Sequence, residues 1–180
     1  LSVEEKPTGE IFAGAGTGTS GTTISFGVRE NNYLGKGVLL DTNANITSDS
    51  IKGRFLVENP NYKNSDKSIY FSAEAIETDN YKKFGYKSNK TGFSIGTNLE
   101  YQNDFFLGLG TSNFYEKIET NSTASARQRA QEGNYWDSFL NLDFNYDKRN
   151  QKFQTSDGFR SFYKLKLPLI SETNTLTNSY

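Results

Sequence analysis

Alternation constrains this chain more than any other feature. From Ile11 onward it repeats one device: a run of about eight to twelve residues of alternating polarity, closed by a cluster of Gly, Asn, Asp, Ser or Lys. Ile11, Ala13, Ala15 and Thr17 alternate with Phe12, Gly14, Gly16 and Gly18, and Thr19-Ser20-Gly21-Thr22 then has the chemistry of a tight hairpin turn. The returning run puts Ile24, Phe26 and Val28 on one face. After Asn31-Asn32-Tyr33-Leu34-Gly35-Lys36-Gly37, the residues Val38, Leu40, Thr42, Ala44 and Ile46 oppose Asp41, Asn43 and Asn45. Ile51, Phe55 and Val57 oppose Lys52, Arg54 and Glu58, and the device continues to Tyr163, Leu165, Leu167 and Leu169 against Lys164 and Lys166. No segment carries a helical period. The pattern predicts an all-β antiparallel protein of about nine strands and the beginning of a tenth.

Period two also fits a soluble sandwich, so composition has to separate the two. Only 34% of residues are hydrophobic and the mean hydropathy is -0.71, yet 14% are aromatic and Gly reaches 16. A transmembrane barrel with a polar lumen has this profile, because only alternate residues meet lipid. Val38 to Leu40, among the longest apolar runs, falls far short of the roughly 20 residues of a spanning helix. Tyr33, Tyr101, Tyr146 and Trp136 fall at strand ends, as interface girdles do. With the first strand running outward, residues 79–90 and 119–134 become long outer loops, while Gln102-Asn103-Asp104 is a short inner turn. Inner turns at 59–67 and 147–158 are longer than that rule prefers. Pro7 and Pro60 lie in connections, and Pro168 is expected to end the last long strand.

The same composition narrows the chemistry. The chain has no Cys, Met or His, which removes disulfides, thiol and imidazole nucleophiles and the common zinc ligands. Lys plus Arg number 20 against 21 Asp plus Glu, with no basic stripe, so nucleic acid is not an expected partner. Gly16-Thr17-Gly18-Thr19-Ser20-Gly21 matches a phosphate-cradling motif, but a strand follows it where a helix is required. Asp41, Glu74, Glu100, Asp137, Asp143 and Asp147 read as charges filling a lumen rather than an acid/base pair. Arg127-Gln128-Arg129 reads as a solvated loop face, with anionic lipid heads as the alternative contact. The chain is expected to be no enzyme and to need no cofactor or metal.

Three stretches then resemble one family. Val3-Glu4-Glu5-Lys6-Pro7-Thr8-Gly9 resembles the segment joining the last periplasmic POTRA domain to the first barrel strand in BamA-type outer-membrane barrel assembly factors, the bacterial surface antigen barrel family. Phe26-Gly27-Val28-Arg29-Glu30-Asn31-Asn32-Tyr33-Leu34-Gly35-Lys36-Gly37 is similar to that family's second strand and its N-x-L-G-x-G inner turn. Val57-Glu58-Asn59-Pro60 matches an N-P turn, and Asp147-Lys148-Arg149 with Thr155-Ser156-Asp157-Gly158 resembles a later D-x-R … P-T-x-G turn with Thr155 in place of the usual Pro.

The resemblance implies residues 1–9 as the end of the POTRA region and linker, and 10–180 as the N-terminal portion of a 16-stranded barrel in the bacterial outer membrane. Two unpaired strand edges cannot be left in hydrocarbon, so the chain is expected to be a fragment of a longer protein. It further implies a lateral seam whose edge is Gly9, Glu10, Ile11, Phe12, Ala13, Gly14, Ala15, Gly16, Thr17 and Gly18, paired in turn with strands of unfolded outer-membrane proteins. Accessory assembly lipoproteins and the lipid bilayer are the other implied partners. A TamA-like or two-partner secretion transporter, a passive diffusion porin, an outer-membrane hydrolase and a soluble sandwich remain as rival readings.

Overall fold

The computed structural model describes residues 8–18, 21–151, 153–171 and 177–179. Most of the expected leading segment, Leu1 to Pro7, and Thr19 and Ser20 of the first turn lie outside the described residues. The strands are β1 (Gly9–Gly18), β2 (Gly21–Tyr33), β3 (Val38–Ile46), β4 (Ser50–Asn59), β5 (Lys67–Asn80), β6 (Tyr86–Gln102), β7 (Phe105–Thr120), β8 (Gly133–Asp147), β9 (Arg160–Ile170) and β10 (Thr177–Ser179). They form one ten-stranded meander in chain order, each strand pairing antiparallel with its sequence neighbours, so β1 and β10 are its edges.

Register follows the alternation. Phe71, Ile95, Thr111, Leu140 and Leu167 lie in one row across β5–β9. One residue along, Ser72, Ser94 and Ser112 form a row on the opposite face. A slip of a single residue would exchange these rows, which is why each strand has only one acceptable pairing.

No apolar core forms among the described residues. Among the described residues Ala124 is the only buried hydrophobic side chain, while Ile24 (49%), Ile51 (52%), Ile95 (49%) and Leu109 (51%) stand exposed on the outer face. A soluble sandwich buries one face of each sheet, so this sheet is not one. On β7 the outward-facing residues from Phe105 to Tyr115 are apolar apart from Thr111 and Asn113. The ten steps from Phe105 to Tyr115, at about 3.3 Å each and tilted by about 40°, give a band about 25 Å tall, the height of an outer-membrane barrel's apolar belt. The belt's inner margin is aromatic: Phe105 lies 6.4 Å from both Tyr101 and Tyr146, and Tyr146 lies 5.7 Å from Phe159. Asn113 interrupts the belt, and its side-chain oxygen accepts a 2.7 Å bond from Ser138 on β8, which satisfies both groups.

Three expectations need correction. Residues 79–90 and 119–134 are not loops throughout: β5 runs on to Asn80, β6 starts at Tyr86, β7 runs to Thr120 and β8 starts at Gly133. Cross-strand and along-strand ion pairs hold these polar extensions above the belt, Lys87 to Glu77 at 2.6 Å and Lys117 to Glu119 at 2.5 Å. Second, the outer connections contain single helical turns, α1 (Tyr81–Phe84) and α2 (Ala126–Arg129). Ser125 caps α2 in a reciprocal capping box with Gln128, and Arg129 donates to the Ser122 carbonyl at 3.3 Å. Third, β9 does not stop at Pro168. A register shift opposite Ser138 and Phe139 absorbs the proline, and the strand continues to Ile170.

Candidate functional site

The ten residues expected to form the seam edge all lie in β1, and every one is exposed. Their pairing with β2 is unbroken from Gly9 opposite Glu30 to Gly18 opposite Gly21. Ile11, Ala13 and Ala15 continue the outward rows of Val28, Phe26 and Ile24. Phe12 turns to the lumen side and lies across Gly27, where a Cβ would come 2.7 Å from the ring's Cε1. Only Gly leaves room there for the ring. Farther out, a Cβ at Gly14, Gly16 or Gly18 would meet nothing within 4 Å. The outer half of β1 therefore contributes a backbone ladder and little else, and its glycines lose more entropy on ordering than other residues would.

The inner end of β1 is held differently, and sequence reasoning missed how. Thr8 Oγ1 donates to Glu30 Oε1, and the Asn32 amide donates to the same oxygen at 2.7 Å. Asn31 Nδ2 and the Asn31 amide donate to the Thr8 carbonyl at 3.1 and 3.4 Å. Asn32 Oδ1 in turn accepts from the Gly37 amide at 2.6 Å, closing the inner turn. That turn has Leu34, Gly35 and Gly37 at φ of 56°, 69° and 65°, a conformation glycine adopts freely. The spacing of Glu30 from Gly9 carries no signal in the sequence alone, because it depends on the pairing of two strands.

The lumen carboxylates are dispersed. Asp41 accepts from Asn43 at 3.1 Å, Asp137 from Ser171 at 2.8 Å and Glu100 from the Asp104 amide at 3.0 Å. Glu74 lies opposite Arg54, and Asp143 opposite Lys164. Among the described residues no group of three or more carboxylates is placed to hold a metal ion. Asp147 chelates the guanidinium of Arg149 through two 2.7 Å bonds at the inner turn after β8. That bond holds the Asp147 carboxyl down to about 2. Gly158 closes the same turn at φ 92°, with a Cβ there 2.9 Å from Arg149 Cα.

With one open meander, an apolar belt and a glycine-rich edge in place, residues 32–178 match the Omp85 superfamily domain. The chain belongs to the Omp85 superfamily. The matched span starts at Asn32, so β1 and most of β2 precede it. The crystal structure of BamA from Haemophilus ducreyi lacking POTRA domains 1–3 superposes with a TM-score of 0.68 at 21% identity, over 92% of this chain and 35% of that one. The chain thus has the fold of a BamA-type barrel and spans about a third of that relative's length. No curated protein matches it. The family and the superposition together make it part of an outer-membrane β-barrel protein.

Proposed function

We propose that this Omp85 barrel is an insertase of the bacterial outer membrane, using the free edge of β1 to pair with strands of unfolded outer-membrane proteins. The observation that carries the reading is an edge strand whose ten residues are all exposed and whose glycines at 14, 16 and 18 have no neighbour within 4 Å of where a Cβ would stand. Pairing by β-augmentation draws its affinity from main-chain bonds and asks little of the client's sequence, which suits many clients. Glycines at 14, 16 and 18 let an incoming strand approach without displacing side chains. In the whole barrel, of about sixteen strands by resemblance to the family, the last strand covers this edge until the seam parts. Accessory lipoproteins assist on the periplasmic side.

Disulfide trapping in the full-length parent tests the proposal. This part of the chain has no native cysteine, so single cysteines at Phe12 or Ala13 report unambiguously within it. Cross-links to the terminal strand of a stalled client barrel are the expected result. Cross-links only to the protein's own last strand would mean a closed barrel, as in a passive porin, and would overturn the reading. A cross-link to a passenger polypeptide lacking barrel strands would place the chain with the secretion transporters instead.

A further inference from the structure

A template strand must stay attached to its own sheet while another strand pulls on its free edge. The β1–β2 hairpin is closed at Gly18 and Gly21, where two residues link the strands, and open at Gly9 and Glu30. Open strand ends fray first when few buried contacts hold them. Every residue of β1 is exposed in this sheet, of which β1 is an edge strand.

Three consecutive side chains of β2 are committed to the open end. Glu30 Oε1 gathers Thr8 Oγ1 and the Asn32 amide, Asn31 Nδ2 takes the Thr8 carbonyl, and Asn32 Oδ1 ties the set to the inner turn through Gly37. The arrangement depends on Gly9, since a Cβ there would come 2.6 Å from Glu30 Oε2. Nothing comparable holds Gly14, Gly16 or Gly18. Side-chain anchoring is thus concentrated at residues 8–12, where no covalent link protects the pair.

We infer that Glu30 is a positioning residue that holds the open end of β1 on β2, so that β1 offers its other edge as a fixed template. This rests on the insertase reading for its purpose but not for its existence. When a client strand or the preceding chain pulls on β1, the load passes through Thr8 and Glu30 into β2 and the inner turn. Without the carboxylate, β1 peels from its open end, and a client would meet a frayed backbone instead of a ladder.

Hydrogen exchange on the full-length parent in lipid reads this directly at the β1 amides that donate to β2. Glu30→Ala should lose protection at Glu10 to Phe12 and leave β3–β6 unchanged. Glu30→Gln keeps an oxygen that accepts both bonds and should retain protection. Gly9→Ala should reproduce the loss by displacing the carboxylate, and the double variant should be no worse than either single one. Unchanged protection at Glu10 to Phe12 in Glu30→Ala overturns the inference. So does a loss spread evenly through β2–β6, which would mark Glu30 as a general structural residue. Client cross-linking at Phe12, measured separately, tests the insertase reading, so the two can fail independently.

Discussion

If the outer face of this sheet meets lipid, a charge placed there must cost far more than the same charge one residue away. Ile95 and Ser94 on β6 make the comparison. Outward positions of β6 from Thr91 to Tyr101 form its part of the apolar belt, and Ile95 sits near the middle, 49% exposed and in one row with Phe71 and Thr111. Ile95→Arg should therefore cost about 2–4 kcal/mol, the penalty for a guanidinium at the midplane of a barrel's lipid face. That is roughly 30-fold to several hundredfold in the folding constant. Ser94 points the other way, into a polar recess of about 410 Å³ lined by Tyr70, Asn141, Asp143 and Lys166. A guanidinium has room and a carboxylate there, so Ser94→Arg should stay within ~1 kcal/mol of the parent. Reversible urea unfolding of the full-length barrel from lipid vesicles, followed by tryptophan fluorescence, measures both. Equal costs, or a larger one at Ser94, would refute the assignment of faces and with it the membrane reading of the alternation.

Three further outcomes follow from particular contacts. Asp147 has its folded pKa depressed to about 2, so its bond to Arg149 is fully present above the unfolded value of about 3.9 and is lost as pH falls through about 2. Protection of the 148–159 turn in the parent should exceed that in Asp147→Asn by a constant factor above about pH 4, and the difference should close toward pH 2. Tyr70→Ala uncovers Gly96 and Gly110, where a Cβ would lie 2.6 and 2.7 Å from the Tyr70 hydroxyl, and should lower barrel stability by about 2 kcal/mol in the same urea assay. Gly158→Ala forces a side chain into φ 92° against the Lys148–Arg149 backbone and should cost about 1–3 kcal/mol; no change in the unfolding midpoint would contradict the turn geometry.

Within the belt the strands were legible residue by residue. Val38 and Ile46 bound β3 as the alternation predicts, and the inner turns at 34–37, 60–66 and 103–104 fall where Gly, Asn, Pro and Asp cluster. Above the belt the signal fails for a physical reason. Lys87, Asn89 and Lys90 place polar side chains on both faces, so no apolar period survives, yet backbone pairing continues through Lys87–Glu77 and Lys90–Glu116 contacts. The cap on α2 was readable, since Ser125 followed by Gln128 is a capping-box spacing, but a single helical turn offers no period to prompt the search. Pro168 misled because a strand interior normally excludes proline, and only the opposing bulge makes room for it. The edge was legible as Gly9–Gly18, but the Glu30 clamp was not, because it joins residues 22 positions apart whose proximity is set by register.

Glycine serves opposite ends in the two parts of this sheet. Gly27, Gly92, Gly96 and Gly110 each lie under a lumen-facing ring: Phe12 over the first, Phe114 over the second, and Tyr70 over the last two. The absent side chain there admits an aromatic from the adjacent strand or, for Gly110, from β5 across β6, which restores packing that glycine alone would lose. Gly14, Gly16 and Gly18 have no ring above them. They carry the entropic cost of glycine with none of the compensating contact, on the strand that stands at the edge. Uncovered glycines on an anchored edge strand leave main-chain groups accessible to another backbone while the clamp at Thr8 and Glu30 keeps the strand in place. Bare glycines along the outer half and a side-chain clamp at the open end are the two features on which the proposed template role of β1 rests.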